Sequence, residues 1–147
     1  MEAANRGASE ANGINVGLTI SLPFEASENE WISDDLNLKF HYFFMRKFWF
    51  LYLAKGLIVW PGGFGTLDEF FEAITLIQTE KIGRFPIVLV GRSFWKGLID
   101  WIEEVVLGRE KNINTQDMQL INIVDTAEEA VDTIDEFYSN YLLSPNF

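Results

Sequence analysis

Leu57-Ile58-Val59-Trp60-Pro61-Gly62-Gly63-Phe64-Gly65-Thr66-Leu67-Asp68-Glu69-Phe70-Phe71 is the stretch on which the fold turns. Its first four residues form a short continuous apolar run, the pattern of a strand covered on both faces in a parallel sheet. The chain then enters Pro61 and three glycines within four residues, Gly62, Gly63 and Gly65. Thr66 opens a helix whose Phe70, Ala73, Ile74 and Ile77 make one apolar stripe, with Glu72, Thr75 and Thr79 elsewhere on its surface. Strand, glycine turn and amphipathic helix make one β-α step, and the rest of the chain repeats it.

Toward the carboxyl end the helix stops near Ile82-Gly83, and Pro86-Ile87-Val88-Leu89-Val90 reads as a second buried strand. Ser93 caps a helix carrying Phe94, Leu98, Trp101, Ile102 and Val105; Ile121-Asn122-Ile123-Val124 is a third strand, and a last helix spans Ala127 to about Tyr141. Toward the amino end, Gly56 stops a nearly all-round apolar segment, Tyr42 to Ala54, that reads as a buried helix. Before it come a period-two strand, Leu36 to Phe40, a polar loop, Pro23 to Asp35, and a strand, Ile14 to Ile20. An opening helix, Glu2 to Glu10, ends at Asn12-Gly13. Strands alternating with helices predict an α/β fold, a Rossmann-like parallel sheet with helices on both faces, because parallel neighbours need crossover connections. No repeat, linker or low-complexity tract interrupts residues 1–147, so one domain is expected.

Composition narrows the chemistry. With 147 residues, 48% hydrophobic, the chain can bury a sizeable core, which excludes disorder throughout. Eleven Lys and Arg against 22 Asp and Glu leave a formal charge of −11, which argues against nucleic acid or an anionic membrane as partner. The lack of Cys removes disulfides, thiolate metal sites and a cysteine nucleophile, the lone His leaves no metal site, and a Cys-free chain fits the cytoplasm. Phe40 to Leu53 carries Arg46 and Lys47 and is too short for a membrane span of about 20 apolar residues. The first dozen residues, small and polar, show no secretory signal.

An anionic ligand of so acidic a protein must be held locally. Pro61 to Gly65 lies between the carboxyl end of a strand and a helix start, where ligands of open parallel sheets bind. Glycines let backbone approach an oxyanion, and the first helical turn offers N–H donors and the positive end of a dipole. The plainer reading is a tight turn that needs positive φ values. Glu69 could stabilise positive charge developing on a sugar or activate water. Thr66-x-x-Glu69 is equally a capping box, and the pattern recurs at Thr126-x-x-Glu129. Arg46 and Lys47 need a partner if buried: a ligand phosphate or sugar, Glu69, or another subunit; otherwise they snorkel to solvent. His41 reads as a structural helix-start residue, and Tyr42-Phe43-Phe44 with Phe48-Trp49-Phe50 as core or subunit interface.

Taken together, Met1 to Ala8 (MEAANRGA), Tyr42 to Lys47 (YFFMRK) and Pro61 to Glu69 (PGGFGTLDE) resemble the Lonely Guy (LOG) family, often labelled lysine-decarboxylase-like. The resemblance covers essentially the whole chain and implies a nucleoside 5′-monophosphate phosphoribohydrolase that releases free cytokinin or adenine bases. It implies that Arg46 and Glu69 are the catalytic pair, that Gly62, Gly63, Gly65 and Thr66 hold the 5′-phosphate, that Lys47 and Glu2 are further substrate contacts, and that the protein forms homodimers or larger assemblies. It implies no cofactor. Glu2 and Asn5 match the family's pocket-proximal helix. The family pattern places a first β-α-β portion and an earlier glycine-rich loop before the segment matching Met1, so the chain is expected to lack them and with them some donors of the nucleotide pocket. The competing reading is a non-catalytic module binding a nucleotide or phosphorylated cofactor on the same fold; a third is a structural subunit without ligand. Lysine decarboxylation is disfavoured, since it needs a Schiff-base lysine under pyridoxal phosphate, and of the six lysines only Lys47 comes near a fitting context.

Overall fold

The computed structural model describes residues 2–20 and 29–140. Residues 23–28 of the loop expected over Pro23 to Asp35, and Tyr141, lie outside the described residues. The chain divides into two compact units, Met1–Leu51 and Tyr52–Phe147, each described by itself.

The first unit opens with helix α1 (Glu2–Glu10). Asn12, in the left-handed region at φ 57°, ends it, and the Gly13 N–H closes the turn on the Ala8 carbonyl at 2.7 Å. Strands β1 (Gly17–Ile20) and β2 (Asn37–Phe40) pair in parallel with Gly17 opposite Asn37. β1 starts three residues later than its sequence promises, because Ile14 and Val16 face solvent and only Gly17 meets a partner strand. A relay of side-chain amides fixes this unit: Asn29 Nδ2 donates to Asn5 Oδ1 (2.9 Å), and Asn5 Nδ2 to Asn15 Oδ1 (3.1 Å). Asn15 is 4% exposed, so the relay supplies a hydrogen bond that its burial requires.

Helix α2 (Phe43–Leu53) forms where expected but is not buried. Leu51 alone among its residues is enclosed, while Phe43, Phe44, Met45, Phe48, Trp49, Tyr52 and Leu53 are exposed, Phe44 by 65%. An all-round apolar helix has more hydrophobic perimeter than this chain has surface to cover it.

The second unit carries a parallel sheet in the order β3 (Leu57–Val59), β4 (Ile87–Val90), β5 (Ile121–Val124). The central β4 is apolar throughout and wholly buried, as a strand covered on two faces must be. Val88 and Val90 point to one face and pack with Val124, Ala130 and Ile134, the last two from helix α6 (Ala127–Asn140). Ile87 and Leu89 point to the other, alongside Leu57 and Val59. That face is covered by helices α3 (Phe64–Gln78) and α4 (Arg92–Trp101), which right-handed crossovers place on one side and whose buried Phe70 and Trp95 rings lie 6.1 Å apart. The Trp95 indole N–H donates to the Val90 carbonyl at 3.1 Å. The fold is thus α/β and Rossmann-like.

Several local expectations change. β3 is covered on one face only: Ile58, in register with Val88, is 37% exposed, since α6 packs over β4 and β5. Gly91, at φ 96°, is the N-cap of α4, so Ser93 is already inside the helix. The Arg92 N–H donates instead to Asp125 Oδ1 at 2.9 Å. This rotates the buried stripe of α4 onto Trp95 and Ile99, and leaves Phe94 and Trp101 in solvent. α4 continues into a π-helical segment (Ile102–Arg109), and a short helix α5 (Thr115–Met118) precedes β5. Gly56 does more than stop a helix: a Cβ there would stand 2.9 Å from Ile134 Cδ1, so its absence lets α6 approach. Among the described residues no helix is long and apolar enough to cross a membrane.

Candidate active site

The loop leaving β3 carries Pro61, Gly62 and Gly63 to the start of α3, which begins at Phe64, two residues earlier than the sequence pattern indicates. Gly63 is the N-cap, and its carbonyl accepts from the N–H groups of both Thr66 (3.0 Å) and Leu67 (3.1 Å). The donors that a helix start leaves to outside partners are therefore those preceding Thr66, and they face the loop. Thr66 adds a hydroxyl through its side chain.

The glycines are not there for backbone strain. Gly91 is the one described glycine with positive φ, and Gly63 sits at φ −93°, open to any residue. Gly62 is required by its neighbour: a Cβ would overlap Thr66 Oγ1 and stand 2.9 Å from Thr66 Cβ. Around a Cβ on Gly63 or Gly65, beyond the adjacent residues and the helix's own backbone, there is no atom within 4 Å. Bare backbone borders open space at both positions, the property that close approach of an anion needs.

Starting α3 at Phe64 also decides what Glu69 is. As the sixth helical residue it lies past the first turn, so Thr66-x-x-Glu69 is not a capping box. The contrast is Thr126-x-x-Glu129, where Thr126 Oγ1 accepts from the Glu129 N–H at 3.1 Å and Glu129 Oε2 accepts from the Asp125 N–H at 2.8 Å. Glu69 shares a face with Gly65 and Thr66, four and three residues before it, and helical side chains lean toward the N-terminus. Beyond the chain neighbours and the helix backbone, nothing lies within 4 Å of where a Gly65 side chain would stand. Glu69 is partly buried, its Oε2 shielded from solvent.

Gly62, Gly63, Gly65, Thr66 and Glu69 thus belong to one loop-and-helix element of the second unit. Arg46 and Lys47 lie on α2 in the first unit, as Glu2 does on α1. Arg46 is partly buried with its guanidinium 5.8 Å from the Phe43 ring centre and its Nε closed to solvent, unlike a snorkelling side chain. Lys47 is partly buried and Glu2 exposed. His41 lies just ahead of α2, edge-on to Tyr42 at 4.7 Å. Sequence reasoning does not single out Phe64, which stands between two glycines with 92% of its surface in solvent. A shallow cavity of about 430 Å³ opens beside it, walled by Leu67, Asp68, Phe71, Glu72, Thr75 and Leu76 of the same helix. Among the described residues no cluster of three His, Cys, Asp or Glu could hold a metal ion.

A family model described as "Possible lysine decarboxylase" matches residues 1–134. A bifunctional cytokinin biosynthesis protein of Fusarium pseudograminearum (strain CS3096) is 36% identical over 83 residues, 56% of this chain and 17% of that protein. A cytokinin riboside 5′-monophosphate phosphoribohydrolase of Arabidopsis thaliana is 33% identical over 85 residues, 57% of this chain and 38% of that protein. The chain spans well under half the length of these curated relatives.

Proposed function

This chain belongs to the possible-lysine-decarboxylase family, the family of the Lonely Guy proteins, and from that premise we propose that it hydrolyses the N-glycosidic bond of purine or cytokinin nucleoside 5′-monophosphates. The bond between the base nitrogen and C1′ breaks, water supplies the hydroxyl that ends on C1′ and the proton that ends on the base, and ribose 5-phosphate is the second product. The observation that carries this reading is the position of Glu69: it lies past the capping turn of α3, on the helix face that carries Gly65 and Thr66.

Backbone N–H groups of the Gly62, Gly63 and Gly65 loop and the Thr66 hydroxyl hold the 5′-phosphate, using neutral donors and the helix dipole. Glu69 stabilises the oxocarbenium-like charge that grows on the sugar as the base departs, and orients the attacking water. Arg46, permanently protonated, positions the substrate and takes no proton; Lys47 and Glu2 supply further contacts. The substrate is AMP or a cytokinin nucleotide, and the aromatic surface that α2 leaves exposed supports assembly into dimers or larger homo-oligomers.

Lysine decarboxylation, which the family description names, fits these residues poorly. Lys39, Lys55, Lys81, Lys96 and Lys111 are exposed and Lys47 is only partly buried, so no lysine has the enclosed apolar setting that favours a neutral amine for Schiff-base formation. The test is to incubate the chain with AMP and with isopentenyladenosine 5′-monophosphate and follow free base by chromatography, with Glu69→Gln in parallel. Base release by the parent and none by the variant is expected; release by both would remove Glu69 from the mechanism.

A further inference from the structure

Phe64 has an address that packing does not explain. A phenyl ring left 92% in solvent forgoes the stabilisation that burial gives, and it does so at the first residue of α3, inside the glycine loop. Its two neighbours, Gly63 and Gly65, carry no side chains, so neither can cover the ring. The backbone N–H of Phe64 belongs to the helix-start donors, and Phe64 also lines a shallow cavity that continues past Leu67 and Phe71. A ligand with phosphate on those donors meets the ring within the length of its sugar.

We propose that Phe64 is the specificity contact of the site: its ring packs against the base of the bound nucleoside monophosphate, and the apolar wall formed with Leu67 and Phe71 receives what extends beyond the base. This rests on the phosphate cradle proposed above and adds to it the part of the ligand that no loop donor can distinguish. An aromatic face accepts a flat base without hydrogen bonds, so Phe64 selects for a ring system over a bare sugar phosphate rather than among bases.

The test compares ribose 5-phosphate with AMP by calorimetric titration. It uses the Glu69→Gln chain, which blocks turnover, with Phe64 intact, Phe64→Ala or Phe64→Tyr, and records the oligomeric state of each by sedimentation. Phe64→Ala is expected to weaken AMP binding about tenfold while leaving ribose 5-phosphate within twofold; Phe64→Tyr keeps both. In chains with Glu69 restored, Phe64→Ala raises KM for AMP and leaves kcat nearly unchanged. Equal loss for both ligands, no loss for either, or a change of oligomeric state in Phe64→Ala overturns the assignment and leaves the cradle standing. Binding of neither ligand by the chain with Phe64 intact overturns the cradle itself, and the proposal with it.

Discussion

Replacing Gly62 and Gly65 by alanine, one at a time, separates the two reasons this loop has for lacking side chains. At position 62 the new methyl group overlaps Thr66 Oγ1 and lies 2.9 Å from Thr66 Cβ, so the helix start must shift or Thr66 must change rotamer. Overpacking of this kind costs about 1–3 kcal/mol, which lowers the melting temperature by roughly 3–9 °C at about 3 °C per kcal/mol for a chain of this size. At position 65 the methyl group meets nothing within 4 Å, and the backbone is in the first turn of α3 without positive φ. There alanine gains about 0.4–1 kcal/mol through the unfolded chain and helix propensity, a rise of roughly 1–3 °C. Yet this same methyl group fills the space beside the helix-start donors and above Glu69, so Gly65→Ala loses ribose 5-phosphate binding while becoming more stable. Differential scanning calorimetry and calorimetric titration read the two quantities independently. A Gly65→Ala chain that melts below the parent, or binds ribose 5-phosphate undiminished, refutes the argument that the space is reserved for a ligand. A Gly62→Ala chain as stable as the parent refutes the packing argument.

Three further outcomes follow from packing and titration. Glu129→Ala removes the carboxylate that caps α6 and costs about 0.5–2 kcal/mol in denaturant unfolding; an unfolding curve superimposing on the parent's would refute the cap. Trp95→Phe strips the buried Val90 carbonyl of its indole donor and lowers stability by about 1–3 kcal/mol, with a matching shift in urea midpoint; an unchanged midpoint would show the bond to be dispensable. Burial raises the Tyr138 pKa above its usual 10, and its hydroxyl donates to the Lys55 carbonyl at 2.7 Å. The folded chain therefore keeps a proton that the unfolded chain gives up: the contribution is complete below pH 10 and fades as pH climbs through the folded value. Thermal scans from pH 8 to pH 11 should show the parent losing more than Tyr138→Phe; parallel curves would contradict this.

The strands of the second unit are legible in the sequence because β4 and β5 are apolar runs of strand length set between amphipathic helices, a pattern with few other solutions. Helix starts are less legible, for one shared reason. Ser93 and Thr66 are residue types that cap helices, but glycines at 91 and 63 take the capping positions, and each such shift turns the helix about its axis by 100° per residue. Phe94 and Trp101 consequently go to solvent, and Glu69 leaves its supposed box. The same four-residue pattern caps α6 at Thr126 because no glycine there competes for the N-cap. The exposure of α2 has a different origin: apolarity states what a segment would cover, and says nothing of whether the chain contains the cover. Arg46 stands out as a charge in apolar company and Glu69 by its spacing from the glycine loop, whereas Phe64 does not stand out, since an exposed phenylalanine has the same letter as a buried one.

The cradle proposed on α3 would answer an anion with backbone dipoles, in a chain whose formal charge is −11. Such dipoles act only at contact, whereas the field of the excess carboxylates reaches about 10 Å into solution at 0.1 M salt. A phosphorylated ligand is therefore repelled on approach and attracted on arrival. Added salt screens the first effect more than the second, so association should quicken as ionic strength rises, opposite to the slowing seen where cations steer an anionic ligand inward. On that proposal, the working environment sets how fast the loop is found, while the glycines set how long the ligand stays.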